Sequence, residues 1–113
     1  MMEHTVRAFD RELELLGLKI SEMGGLAEKM LSESIEALIQ LNVEAARSII
    51  TTDSRLDTLQ REIEEEAVHI IARRQPLGAD LREIIGAMRI SGDLERIGDL
   101  AKNIAKRTLN LAK

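Results

Sequence analysis

The sequence predicts an all-α fold: an up-down-up antiparallel bundle of three long helices that forms one domain over residues 1–113. The first observation is the composition, which is 44% hydrophobic but has one Phe and neither Tyr nor Trp, so that the core must consist of small and aliphatic side chains. Charged residues make up 32% and Pro occurs once, a mix typical of long helices. Finally, three apolar stripes with a helical period are separated by short connections, which force neighbouring helices to run antiparallel.

The first helix is predicted over about residues 3–41. Ten of the eleven positions along its seam are apolar, and they repeat every 3.5 residues on average. Gly24 and Gly25 interrupt this stretch, and each costs about 1 kcal/mol relative to Ala. The register continues across them, so one helix is expected. The seam consists of Val6, Phe9, Leu13, Leu16, Ile20, Met23, Ala27, Met30, Ser34, Ala37 and Leu41.

The second helix is predicted over about residues 43–74, with Asn42 as its N-cap and Glu44 in its first turn. The polar stretch 51–54 leaves open a short helix followed by a longer one capped at Asp53, but the continuous stripe favours one helix. Pro76 ends it, because proline cannot continue the hydrogen-bond ladder. The stripe consists of Ala46, Ile49, Ile50, Leu56, Leu59, Ile63, Ala67, Ile70 and Ile71.

The third helix is predicted over about residues 80–112. Asp80 is its expected N-cap, and Glu83 follows three residues later as in a capping box. At 1.5 Å per residue, helices of thirty-odd residues give rods of about 50 Å. The third stripe consists of Leu81, Ile84, Ile85, Met88, Ser91, Ile97, Ala101, Ile104, Ala105 and Leu111.

Charge and composition exclude several classes of function. The net charge of −4 and the lack of aromatic platforms argue against nucleic-acid binding. The absence of cysteine rules out disulfides and thiol chemistry. The segment 1–11 has no apolar signal core, and no run of 18 apolar residues could span a membrane, so a soluble cytoplasmic protein is expected.

Two pairs of acids lie on or beside the core-facing sides of the second and third helices. Asp53 and Asp57 are four residues apart, as are Glu95 and Asp99, so each pair shares a helix face. With the antiparallel turn centred on Pro76, Asp53 lies opposite Asp99 and Asp57 opposite Glu95. The sequence therefore predicts four carboxylates at one height of the bundle.

Carboxylates gathered in a partly buried place need cations, either basic side chains or metal ions. Carboxylate oxygens suit hard multivalent cations, and the small residues Ser91, Gly92 and Gly98 leave room beside Glu95. The alternative remains open that these are ordinary surface acids, with Asp53 serving as an N-cap. In that case nearby arginines would neutralise them, namely Arg55, Arg61, Arg89 and Arg96.

Four short motifs occur together in the second half of the sequence, namely Arg74-Gln75-Pro76, Asp80-Leu81-Arg82, Asp93-Leu94-Glu95-Arg96-Ile97-Gly98-Asp99 and Asn103-Ile104-Ala105. Together they resemble the PhoU family of bacterial regulators of phosphate uptake. The resemblance implies three-helix bundles in which E/D-x-x-x-D motifs bind clusters of iron or zinc, here through Asp53, Asp57, Glu95 and Asp99. It also implies a cytoplasmic, non-enzymatic adaptor, peripheral to the inner membrane, between a phosphate ABC transporter and a sensor histidine kinase, which restrains the phosphate-starvation response.

Members of that family usually carry two tandem three-helix repeats, and this chain resembles the first of them. A repeat that normally packs on a sister exposes that surface when it is alone. We therefore expect two copies to pair as a homodimer.

Two other functions compete with this interpretation. Glu66 and His69 have the E-x-x-H spacing of carboxylate di-iron enzymes, but such sites need two of these motifs, and His69 is expected at the helix surface. A helical scaffold without metal explains the apolar seams equally well. The Pro76 turn is flanked by Arg73, Arg74 and Arg82, which could bind phosphate. Cations in the last turn of a helix also interact favourably with the helix dipole, which explains their placement without a ligand.

Overall fold

The computed structural model describes the backbone of residues 2–113 and the side chains of residues 5–113, so the side chain of His4 lies outside it. It contains three helices, α1 (Met2–Gln40), α2 (Val43–Arg74) and α3 (Gly78–Leu111). They pack side by side in a rod of 63 × 18 × 17 Å. This confirms the predicted all-α bundle of three long antiparallel helices.

The connection between α1 and α2 is two residues long and satisfies the ends of both helices. Leu41 adopts a left-handed conformation with φ of 52°, which ends α1 at Gln40, one residue before the predicted end. The Asn42 backbone N–H then donates to the Ala37 carbonyl at 2.8 Å. The Asn42 side chain accepts a hydrogen bond from the Ala45 N–H at 3.1 Å, which confirms it as the N-cap of α2.

α2 runs without a break through the polar stretch 51–54, so Asp53 is not an N-cap. The hydroxyls of Thr51, Thr52 and Ser54 donate to backbone carbonyl groups in the preceding turn, at 2.8 to 3.1 Å. In this way the hydroxyls are satisfied inside the helix instead of competing with it. α1 is likewise continuous through Gly24 and Gly25.

The prediction that Asp80 caps α3 is wrong. α2 ends at Arg74, followed by Gln75 in a left-handed conformation, and α3 already begins at Gly78, which has a φ of 58°. Glycine adopts this conformation without steric cost, so the chain enters the helix two residues before Asp80. No side chain caps this end. Asp80 lies in the first turn, where its negative charge interacts favourably with the helix dipole.

The three apolar stripes meet along the axis of the bundle. Four predicted seam residues are nevertheless exposed, namely Val6, Leu41, Ile85 and Leu111. Val6 and Leu111 lie near the ends of the rod, and Leu41 lies in the turn, where fewer neighbours cover a side chain. Ala87 and Thr108, which the prediction missed, are buried instead. Within the described residues no helix has the length and hydropathy required to cross a membrane.

Candidate functional site

The α2–α3 hairpin brings both acid pairs to its middle, but in a register that differs from the predicted one. The facing pairs are Asp53 with Lys102 and Leu56 with Gly98. They are shifted by two to three residues from a register centred on Pro76. Asp53 therefore lies beyond Asp99, towards Lys102.

Gly98 allows α2 and α3 to approach closely beside the acids. A β-carbon built on Gly98 would overlap Cδ2 of Leu56, which is fully buried, and would lie 3.5 Å from Oδ1 of Asp53. The helices can pack at this distance only because position 98 has no side chain. The backbone of α3 at Gly98 therefore packs directly against the Leu56 side chain, next to Asp53.

Asp53 is a charged residue in a core position, with 4% of its surface exposed. Its Oδ2 accepts a hydrogen bond from Nζ of Lys102 at 3.3 Å. Its Oδ1 is buried and is the one such side-chain atom among the described residues that lacks a hydrogen-bond partner. A buried carboxylate oxygen without a partner is costly, which makes it a place where a bound cation would be stabilising.

Burial and the negative charge of neighbouring acids raise the pKa of two other carboxyl groups in the cluster. The pKa of Asp57 is raised by burial and then by the negative charges of Asp53 and Asp99. The pKa of Glu95 is raised by burial and then by Asp99, Asp57 and Asp53, while a hydrogen bond from Gln60 opposes the rise. The four predicted carboxylates are therefore close enough to repel one another, as the acid spacing suggested.

Two of the four arginines considered as neutralising partners form ion pairs with other acids. Arg55 pairs with Glu22 of α1 at 3.0 Å, and Arg96 pairs with Asp93 of its own helix at 3.4 Å. Arg61 acts on Asp57 only by lowering its pKa from a distance. Lys102, which the sequence prediction missed, supplies the direct contact. The available signal was its place seven residues after Glu95, on the same line of α3.

The donor set suits a hard cation, since it consists of carboxylate oxygens that repel one another and include an unpartnered one. In the arrangement of the described side chains, no three acidic or histidine groups already stand around one common point. Binding an ion would therefore require the carboxylates on α2 and α3 to rotate towards it. Metal binding by Asp53, Asp57, Glu95 and Asp99 stays a prediction.

The remaining sequence candidates lie outside this cluster. His69 is exposed, as expected of a helix-surface residue, and lines a shallow groove between α1 and α2 together with Glu66 and Lys19. Arg73 and Arg74 both donate to the carboxylate of Glu12 in α1, at 2.9 Å and at 2.6 and 2.8 Å. These contacts join the end of α2 to α1, so that the two arginines have a structural role.

Comparison with known proteins places this geometry in context. Residues 20–108 match the family model described as the PhoU domain. The phosphate-specific transport system accessory protein PhoU homolog of Rhizobium meliloti is 50% identical over 96% of this chain and 46% of its own length. The homolog of Caulobacter vibrioides is 45% identical over the whole chain and 49% of its own length.

The crystal structure of PhoU from Pseudomonas aeruginosa superimposes with a TM-score of 0.90 at 40% identity. The match covers 92% of this chain and 50% of that one. This chain therefore spans about half the length of the curated relatives that it matches. All four acids and Lys102 lie inside the part that matches the family model.

We predict that Gly98→Ala destabilises the protein by about 1–3 kcal/mol, because the new methyl group displaces the buried Leu56 side chain. Gly92→Ala is the matched control in the same helix, since nothing lies within 4 Å of its new β-carbon. This control should stabilise by up to about 1 kcal/mol through helix propensity. Chemical denaturation of both variants measures the difference, and equal stabilities would disprove the tight packing at position 98.

Proposed function

This chain belongs to the PhoU family, and we propose that it regulates phosphate uptake. The observation that carries this proposal is the high identity, over nearly the whole chain, to proteins named as accessory to the phosphate-specific transport system. The structural similarity to PhoU from Pseudomonas aeruginosa supports it. Because the chain spans about half of each relative, the activity of the whole protein is part of the proposal.

In this role the chain is a non-enzymatic adaptor in the cytoplasm. Its partners are the phosphate ABC transporter at the inner membrane and a sensor histidine kinase, whose starvation response it restrains when phosphate is plentiful. The resemblance of its motifs to the family supports this assignment, and the relatives' designation as accessory proteins agrees with it.

A cellular experiment tests the regulatory role. The chain is expressed in a bacterium that lacks its own PhoU protein and carries a reporter driven by a phosphate-starvation promoter. In phosphate-rich medium we expect the chain to lower the reporter signal, and Glu95→Ala with Asp99→Ala to raise it again. Glu83→Ala with Asp93→Ala removes two exposed charges from the same helix and should behave like the unmodified chain. A well-expressed chain that leaves the reporter unchanged would refute the proposal.

The metal-binding part of the function rests on the acid cluster. We propose that Asp53, Asp57, Glu95 and Asp99 bind metal ions, with iron or zinc as the ions implied by the family. A bound cation would partner Oδ1 of Asp53 and would relieve the repulsion that, after burial, raises the pKa of Asp57 and of Glu95. When bound, such an ion would supply positive charge to carboxylates that are carried by both α2 and α3.

We expect zinc or ferrous iron to raise the melting temperature by about 10 °C at a concentration a hundredfold above its Kd, because the ion binds only the folded chain. A chelator should reverse the shift, and elemental analysis should find the metal. The shift should disappear in Glu95→Ala with Asp99→Ala and persist in Glu83→Ala with Asp93→Ala. The relevant quantity is the shift on adding metal, because removing repelling acids changes stability by itself. No metal effect in the unmodified chain would favour the metal-free scaffold.

We also propose that two copies of the chain pair as a homodimer. Large apolar side chains remain exposed on α1 and α3, among them Ile39 at 77% and Leu100 at 58% exposure. Ile90 and Leu111 are also exposed and lie on one line of α3, with the half-buried Ile97 and Ile104 between them at a spacing of seven residues. Such surfaces mark interaction sites, and a second copy provides a matching one.

Sedimentation equilibrium tests the homodimer. We expect a dimer that dissociates on dilution and that Leu100→Glu shifts to monomer, because a charge then enters the apolar contact. Glu83→Ala, at an exposed position on the same helix, is the control and should remain dimeric. A monodisperse monomer at high concentration would contradict the proposal.

A further inference from the structure

Lys102 is placed to neutralise the acid cluster from within the bundle. Its Nζ lies 3.3 Å from Oδ2 of Asp53, and the side chains are 32% and 5% exposed. Among the described residues no other lysine or arginine forms an ion pair with Asp53, Asp57, Glu95 or Asp99. Lys102 therefore combines a direct contact to the most buried acid with an open path to solvent.

We propose that Lys102 is a tethered cation that competes with metal ions for Asp53 and so sets the metal concentration at which the acid cluster binds. This inference rests on the proposed metal site. It adds a residue that the E/D-x-x-x-D motifs do not contain, and a role opposite to that of a ligand.

The competition follows from charge and geometry. Nζ of Lys102 donates to Oδ2 of Asp53, so a divalent ion bound at Oδ1 of the same carboxylate would lie a few ångströms from the ammonium group. Two cations at such a distance repel each other more strongly in a partly buried site than in water. The ammonium group therefore weakens metal binding at Asp53 for as long as it stays in place. Lysine suits this exchange, because its charge is a compact point on a flexible stem that can swing into solvent.

The same contact stabilises the fold in the absence of metal. Asp53 is buried among the apolar side chains of α2, where a carboxylate without any partner would be strongly destabilising. Lys102 offsets that cost on one oxygen and leaves the other unpartnered. Metal-free stability and metal affinity are thus expected to change in opposite directions when Lys102 is replaced.

The test compares the purified chain with Lys102→Met, which keeps an unbranched side chain of similar length and removes its charge. Zn²⁺ affinity is measured at pH 7 by competition with a coloured chelator, and thermal melts are recorded with and without Zn²⁺. We expect Lys102→Met to bind Zn²⁺ about tenfold more tightly or better, to melt at a lower temperature without metal, and to gain more on adding Zn²⁺.

Lys106→Met is the matched control, because it removes the same charge one turn further along the same helix from an exposed position. It should change neither the affinity nor the metal-free melt by a comparable amount. Lys102→Arg, which retains the charge, should keep Zn²⁺ binding as weak as in the unmodified chain. If Lys102→Met does not fold without metal, Lys102→Gln serves in its place, because its amide can still donate to Asp53.

The outcomes separate this inference from the metal site itself. If the unmodified chain and Lys102→Met both bind neither Zn²⁺ nor ferrous iron, the proposed metal site is wrong and the competition falls with it. If the unmodified chain binds Zn²⁺ but Lys102→Met binds it no more tightly than Lys106→Met does, the site stands and the competition is refuted. Weaker binding by Lys102→Met would show that Lys102 supports the site rather than opposing the metal.

Discussion

The burial of one carboxylate, that of Asp53, is the constraint on which the middle of this bundle depends. Its neighbours along the seam of α2 are Ile49 and Leu56, so an acid occupies a position that an aliphatic side chain would fill at no electrostatic cost. Two features of α3 accommodate this buried acid. Gly98 lets the helices close over Leu56 beside the acid, and Lys102 reaches one of its oxygens.

The ends of the bundle are built differently from this charged middle. At one end Asn42 caps α2, and its backbone N–H closes the last turn of α1. At the other end Glu12, whose side chain is 13% exposed, accepts hydrogen bonds from both Arg73 and Arg74 and so fastens α1 to the end of α2. Since these contacts satisfy polar groups near both turns, the helices are held in register on either side of the acids. The cost of repulsion in the middle can be tolerated because the framework around it is fixed.

Much of this architecture could be predicted because helix formation follows local and periodic rules. The seams of aliphatic residues gave three helices, and Asn42 has both the side chain and the position of an N-cap. The grouping of the four acids followed from i to i+4 spacing on two helices joined by a short turn. Each of these inferences uses only the chemistry of neighbouring residues and the geometry of an antiparallel pair.

The errors arose where backbone conformation or side-chain direction decides the outcome. Asp80 has good capping chemistry, but α3 begins two residues earlier, at Gly78, whose φ is positive. Arg55 and Arg96 are close to the acids in sequence, yet their side chains turn to Glu22 and Asp93. Lys102 was missed because one lysine in a charged helix looks like any other until the helix facing it is placed.

Since Asp53, Asp57, Glu95, Asp99 and Lys102 all come from a single helical hairpin, the candidate site does not depend on the half of the relatives that this chain does not match. The proposed cation site can therefore be tested on this chain without any residue from the unmatched half of its relatives.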